Sequence, residues 1–444
     1  MKVTRREFAE VGVKSAAAVG VGVSGVGRLM GANDRIKVGV VGIRGRGRQL
    51  SAWFAQRKDV DLAYLCDVDS RMFSERSAEI EAISGKSPVC HQDFRKILDD
   101  KDLDAVVIAT PDHWHALGTI WCCQAGKDVY VEKPTCHSIW EGRKTIEAAR
   151  KYGRVVQVGT QNRSGAYCFE AIEYLRSGKL GDIHFVRVMN SKNRNPIGNK
   201  PVGPVPDGVD YNLWLGPAPD RQFSENQFHY AWHWFWAYSG GDIINDGVHQ
   251  IDLARWLAGV RYPLSVQSTG GIYYFKDDQE TPDTHVVNWD FPGMTMVFEQ
   301  TLWTPYMKKT PMEVRDTDNL PSWPFSGTRI EVYGTKGQMF FSRHGGGWQV
   351  FGPDGKPART QPGRFPNQEH IDNFLSCIRT RETPAADIEE GHLSTLLCHY
   401  GNIAYRCGRK LTIDPESEGF VGDKEANSYL KRTYREPWIV PELV

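Results

Sequence analysis

The chain has 444 residues, too many for one ordinary hydrophobic core, so two folded units are expected. Lys plus Arg and Asp plus Glu both number 54, which leaves no long-range field to draw in nucleic acid or an anionic membrane and points to small neutral ligands. The nine cysteines are an odd count without paired metal spacing; they read as small buried apolar groups, not as a disulfide framework.

Residues 1–32 carry Thr4-Arg5-Arg6-Glu7-Phe8 and then an acid-free Ala/Gly/Val stretch over 11–26. This is a twin-arginine signal pattern, too short and glycine-rich to span a membrane. It predicts export of an already folded protein to the periplasm or beyond, with no membrane attachment once the segment is removed.

The next segment, Ile36-Lys-Val-Gly-Val-Val41, is a buried-strand run that breaks into Gly42, Ile43, Arg44, Gly45, Arg46 and Gly47 and then into a helical pattern. A strand, a tight glycine turn and a helix N-terminus together form an anion site suited to a dinucleotide pyrophosphate. A second strand over 60–66 ends at Asp67, about 20 residues past the turn, where a carboxylate holds the adenosine ribose hydroxyls. Arg44 stands where a second glycine usually lets the backbone approach the phosphates, and Gly45 is positioned to take over that role. Arg44 and Arg46 add charge to the phosphates or, turned toward Asp67, tolerate the 2′-phosphate of NADP; with Asp67 present the pattern favours NAD.

Apolar runs and helical patterns alternate up to residue 159, which predicts a Rossmann-type parallel sheet over 33–159. Beyond Gly159 longer β-rich stretches appear, at 183–189, 264–275, 284–291, 295–303, 329–333 and 338–341. These predict an α+β domain over 160–444 built on a large, mainly antiparallel sheet with helices on one face. Segments 196–208 and 352–365, rich in Pro and Gly, read as long surface loops.

Four motifs occur in order: the glycine turn, Thr110-Pro-Asp-His-Trp-His115, Glu132-Lys133-Pro134 after an apolar strand, and Gly240-Gly-Asp-Ile-Ile-Asn-Asp-Gly-Val-His249-Gln-Ile-Asp252. Together they resemble the glucose-fructose oxidoreductase / inositol dehydrogenase / rhizopine catabolism (Gfo/Idh/MocA) family, in its exported twin-arginine form, over essentially everything after Asn33. The resemblance implies that Lys133 lies beside the nicotinamide and the reacting hydroxyl, where an ammonium stabilises a developing alkoxide or relays its proton. It also sets Thr110, Pro111, His113, Trp114, His115, Glu132, Gln161 and Asn162 along the cofactor.

His249 is the second candidate for the hydroxyl proton. Dehydrogenases of the family typically carry Asp four residues earlier, as the carboxylate of a dyad; this chain has Asn245, an amide that orients but holds no charge. Asp246, one residue on, would point about 100° away on a regular helix, while Asp252 shares the helical face of His249. Among Tyr230-Ala-Trp-His233-Trp234-Phe-Trp236, the rings of Tyr230, His233 and Trp234 suit stacking on a sugar, with core packing as the alternative; Asp246 and His249 complete the expected substrate contacts. His113, His115, His229 and His233 lack the Cys or Glu support of a zinc site, so no metal is expected. Segments 369–374 and 391–400 resemble family helices that pack back on the first domain.

These features predict an NAD-dependent oxidoreductase that acts by hydride transfer on a sugar, glycoside or cyclitol hydroxyl, in a homo-oligomer. The alternatives are a glycoside hydrolase that recycles tightly bound NAD, and a nucleotide-carrying sugar-binding protein without turnover.

Overall fold

A computed structural model describes residues 35–444, and the twin-arginine segment lies outside the described residues. Six strands, β1 (Ile36–Val41), β2 (Val60–Cys66), β3 (Val89–His91), β4 (Ala105–Ile108), β5 (Asp128–Val131) and β6 (Val156–Val158), form a sheet in the order β3-β2-β1-β4-β5-β6. Every pairing in it is parallel. Its central strands are buried without alternation, as expected where helices cover both faces. On one face lie α1 (Gly45–Ala55) and α2 (Phe73–Ser84), whose Leu50, Phe54 and Ile80 pack on Val38, Val40 and Val107. The other is covered by α3 (His115–Gln124) and α4 (Ile139–Lys151), through Leu117, Ile120 and Ile146 on Val106, Ile108 and Val129.

After β6 and α5 (Ala166–Arg176) the chain builds a second sheet of ten strands. They are β7 (Ile183–Ser191), β8 (Ser265–Gly271), β9 (Thr284–Phe291), β10 (Met294–Thr301), β11 (Arg329–Gly334), β12 (Gly337–Ser342), β13 (Trp348–Phe351), β14 (Pro357–Gln361), β15 (Leu411–Asp414) and β16 (Gly419–Phe420). The sheet is mixed but mainly antiparallel, with β7 and β10 as its parallel pair. Burial alternates strictly along β10, so one face is core and the other is not. The core face packs on α6 (Val248–Ala258) and α8 (Ile388–Cys407) through Ile251, Leu253, Leu393 and Leu397. Ahead of α8, α7 (Asn367–Thr380) packs Ile371, Phe374 and Leu375 on the first sheet, and near the C-terminus Trp438 and Val440 join that sheet's other face.

One segment departs from its sequence reading. The stretch 352–365, expected as a loop, contains β14, which pairs with β13 at the sheet edge. Four of its five residues are exposed. An edge strand that buries neither face carries no period-2 signal, and its leading proline is tolerated because that position needs no ladder donor.

The strand–turn–helix crossing at β1 and α1 has the tightest tolerance. A Cβ on Gly47 would lie 1.6 Å from the Gly42 carbonyl oxygen, so the helix reaches the strand only with hydrogen at this position. Gly47→Ala is expected to destabilise the protein by about 1–3 kcal/mol through the backbone shift it forces. Thermal unfolding checks this; an unchanged Tm would show that the turn is not held by this contact.

Candidate functional site

The carboxyl edge of the first sheet opens into a cavity of about 720 Å³, the position where ligands of open α/β sheets bind. The glycine turn, the ends of β2, β4 and β5, segment 228–233, segment 242–249 and the loops at 309–316 and 343–344 enclose it.

At one end, α1 begins at Arg44 in extended conformation, with no side-chain cap and no acidic residue in the first turn. Its first N–H groups and dipole are therefore left for an anion. Gly45, at φ +33°, has open space where a Cβ would project, which allows a ligand to approach the backbone. Asp67 accepts from the Ile43 N–H at 2.9 Å and the Asp69 N–H at 3.0 Å through different oxygens. Each oxygen retains acceptor capacity for a ribose hydroxyl, and burial pushes the carboxyl above its ordinary range. Both nearby arginines are engaged: Arg71 holds Asp69 through two bonds of 2.7 Å, and Arg44 lies 3.5 Å from Asp69 and 2.7 Å from His229. That pairing leaves less free cation for a 2′-phosphate, which suits NAD.

The floor is set by the loops after β4 and β5. His115 places its ring nitrogens 2.5 Å from the Pro134 carbonyl and 2.9 Å from the Thr110 carbonyl, stapling one loop to the other. Glu132, buried, pairs with Arg46 at 2.8 Å, so the glycine turn is tied across β4 to the end of β5. Lys133 reaches from that end toward the second half of the chain. Its ammonium donates to the Asn245 backbone carbonyl at 2.6 Å, with the Asn245 amide oxygen 3.3 Å away.

Segment Ile243–Gly247 is a π-helical turn leading into α6, a form that recurs at functional sites. Both Asn245 and Asp246 line the cavity, Asp246 where a substrate contact was expected, although the turn that carries them is π-helical and not the regular helix assumed from the sequence. Asn245 spends its side chain on Lys133 and on Asp242, 3.1 Å from its amide nitrogen, so it positions the lysine and is not the orienting partner of His249. Asp246 is buried among Lys192 at 2.8 Å, Lys309, and Arg343 at 3.4 Å, which hold its carboxyl well below the ordinary range. His249 lines the cavity with its Nδ1 buried and unpartnered. Burial, then Arg343 and Lys133, push its imidazole well below the ordinary value, so the ring is neutral. Asp252 turns away to the buried Arg163, at 2.9 Å, and to Ser394.

Gly42, Arg44, Gly45, Arg46, Asp67, Thr110, Pro111, Trp114, His115, Glu132, Lys133, Gln161, Tyr230 and His233 also line this cavity. Ile43, Gly47, His113, Asn162 and Trp234 do not. Ile43 contributes only its backbone N–H, and Gly47 is packed under the turn. His113 is fully buried against the Trp214 carbonyl at 2.8 Å, because on the short 3-10 turn Asp112–Trp114 it faces the core. Asn162 is used by Tyr167 and the Arg343 carbonyl. Trp234 is a core residue capped by the Arg194 guanidinium, 3.9 Å from its ring. His233 donates from Nδ1 to the Tyr230 carbonyl at 2.6 Å and stacks on Trp232, which leaves Nε2 as the acceptor of a neutral ring. The reading from sequence passed over Asp112, although it sits inside the 110–115 motif. Asp112 lines the cavity, accepts from the Ser239 hydroxyl, and is pushed up to about 7 by burial, against the pull of Lys133. It also passed over Lys309 and Arg343, and weighed His229, which lines the cavity, only as a metal ligand. Among the described residues no three His, Cys, Asp or Glu side chains group to hold a metal ion.

Three family models match the chain: "Oxidoreductase family, NAD-binding Rossmann fold" over 36–160, "GFO/IDH/MocA C-terminal domain" over 217–340, and "Oxidoreductase family, C-terminal alpha/beta domain" over 347–440. Inositol 2-dehydrogenase 2 of Saccharopolyspora erythraea is 29% identical over 199 residues, which is 45% of this chain and 46% of that one. A glycosyl hydrolase family 109 protein of Solibacter usitatus is 29% identical over 171 residues, 34% of this chain and 38% of the other. The matched stretches thus span about half the length, or less, of these curated relatives. The fold is shared with the WlbA dehydrogenase from Bordetella pertussis, solved with NADH and UDP-GlcNAcA, at a TM-score of 0.62 and 22% identity over 86% of this chain and 99% of that one. With its parallel dinucleotide-type sheet, its mixed second sheet and matches to all three models, the chain belongs to the Gfo/Idh/MocA family of oxidoreductases.

Proposed function

We propose that the chain is an NAD-dependent oxidoreductase acting on a hydroxyl of a sugar, glycoside or cyclitol. The observation that carries this reading is the meeting of the Lys133 ammonium and the neutral His249 ring in one cavity with the uncapped N-terminus of α1 and the Asp67 carboxylate. The α1 N–H groups and Gly45 receive the pyrophosphate, and Asp67 receives the ribose hydroxyls. Bound NAD supplies a hydride acceptor for the carbinol carbon. Lys133 spends two N–H groups on the Asn245 carbonyl and amide oxygens, which fixes the direction of the one that remains for the substrate oxygen. His249, neutral because of its burial and the surrounding cations, is the acceptor for the hydroxyl proton. An inositol dehydrogenase and a dehydrogenase solved with NADH and UDP-GlcNAcA among the similar proteins support a polyol or sugar substrate.

Asn245 favours a second reading. An uncharged residue next to the proton-handling pair suits a glycoside hydrolase in which the hydride is returned within the turnover, and several relatives carry a glycosyl hydrolase name. A panel of free sugars and aryl glycosides separates the readings when followed at the NADH absorbance and by released aglycone. NADH formed from free sugars supports the oxidoreductase; aglycone released without net NADH establishes the hydrolase. Neither product would identify a binding protein.

Lys133→Ala is expected to keep NAD bound, as checked by calorimetry, while turnover falls roughly a hundredfold or more, the scale of a lost acid-base group. Near-normal turnover would remove Lys133 from the mechanism.

Asp112 gives a pH-dependent expectation. Its folded value of about 7 lies above the unfolded carboxylate range, so native Asp112 keeps its proton below neutrality while the unfolded chain has already lost it. Burying the charge therefore costs stability that grows as pH rises from about 4 to about 7 and is fully present above that. Asp112→Asn retains an acceptor for Ser239. Relative to the parent it should gain on the order of 2–4 kcal/mol between pH 4 and pH 8. Denaturant unfolding at the two pH values is the measurement, and a difference that does not change with pH would refute the buried-carboxyl assignment.

A further inference from the structure

The end of the cavity beyond Asn245 and His249 is built from the second sheet and carries more cation than its carboxylates can match. Lys309 and Arg315 reach it from the loop after β10, and Arg343 and His344 follow directly on β12. With Lys192 behind them, these cations meet two buried carboxylates, Asp242 and Asp246; the third, Asp316, is exposed at the rim. Asp246 cannot satisfy the group. Its Oδ2 takes both Lys192 and Lys309, and only Oδ1 is left for Arg343, at 3.4 Å. Arg343 is 6% exposed, yet its Nε has no partner. A guanidinium so buried with an idle donor is costly unless a ligand completes it. The neighbours feel the same excess. Burial and then like charge hold Lys309 and Arg343 below their ordinary ranges, and His344 is pushed well below by burial and Arg343.

We propose that this end is the subsite for a negatively charged group on the substrate, so that the hydroxyl compound oxidised is an acidic sugar of the hexuronate type, its carboxylate received by Arg343, Arg315 and Lys309. The inference rests on the oxidoreductase reading for the rest of the molecule and deepens it. The excess amounts to about one charge, which a carboxylate neutralises and a dianionic phosphate would overshoot. Arg343, Arg315 and Lys309 line the same cavity as His249, which places the anion and the reacting hydroxyl on one substrate. The dinucleotide phosphates belong to the opposite end, at the N-terminus of α1, where Arg46 is already paired with Glu132.

The test is calorimetry on the NAD-loaded full chain with sodium glucuronate, sodium galacturonate, glucose, galactose and glucose 6-phosphate. Each uronate should bind about tenfold to a hundredfold more tightly than its neutral hexose, the scale of added charge-assisted hydrogen bonds. Arg315→Gln and Arg343→Gln should each raise the uronate Kd toward that of the neutral sugar. Arg315 makes no contact with Asp246 within ion-pair distance, so its variant keeps the test sound should Arg343→Gln fold poorly. Equal binding of uronates and hexoses by the parent, a preference that survives both substitutions, or tighter binding of glucose 6-phosphate than of glucuronate would overturn the subsite. Turnover separates this from the parent reading. NADH from hexoses with no preference for acids removes the subsite and leaves the oxidoreductase; selective uronate binding with no product from any sugar does the opposite.

Discussion

The bond from the Lys133 ammonium to the Asn245 carbonyl is the constraint on which the geometry of the site depends. It joins the carboxyl edge of a parallel sheet to a π-helical turn that enters the helix covering a second, mixed sheet. Each side is braced separately. His115 staples the loop after β4 to the loop that carries Lys133, while the Asn245 amide is anchored on Asp242, itself held by Lys192 and Asn190. A flexible lysine loses rotamer freedom when it is fixed in this way, but a charge-assisted bond to a carbonyl inside a cavity offsets that loss more fully than one in open water.

Buried charges away from the cavity meet counter-charges from distant parts of the chain. Arg163 meets Asp252 and Glu390, and Arg432 meets Glu141. These link segments distant in sequence, and removing either partner would strand a charge. Around the cavity the pairing is incomplete. Arg343 has an unspent donor, the Nδ1 atom of His249 has no partner, and Asp112 is driven toward its neutral form. Perturbed and unpartnered titratable groups gathered in one cleft are the electrostatic mark of a candidate ligand site.

Much of the fold was legible because it is written in local pattern. The glycine turn, the uninterrupted apolar strands of the first sheet and the alternating strands of the second give signals inside a few residues, and the two sheets follow from where the pattern changes. β14 was not legible, since a polar edge strand buries nothing and so leaves no period. Within the site, Lys133, Glu132 and the glycine turn could be located because each sits at the end of a strand. Lys309 and Arg343 could not, because they come together only when loops from β10 and β12 meet over the π turn, and neither has a local motif. His113 misled for the opposite reason: it belongs to a motif that does face the cavity, yet on a 3-10 turn adjacent side chains diverge, and its ring goes to the core while Asp112 and Trp114 reach the cleft.

The asparagine at 245 takes its meaning from its surroundings. Asp242 and Asp246 flank it and are both buried and ionised, their carboxyls held low chiefly by Lys192. A third carboxylate at 245 would sit 3.1 Å from Asp242, and like charges at that separation in a shielded cleft cannot all remain ionised. An amide avoids the repulsion, donates to Asp242 from one end and accepts from Lys133 at the other. The side chain that a dyad would use to charge His249 is here committed to aiming Lys133. In the oxidoreductase proposed above, with His249 neutral among cations, the ammonium would meet the developing charge on the substrate oxygen and the imidazole would only have to receive its proton.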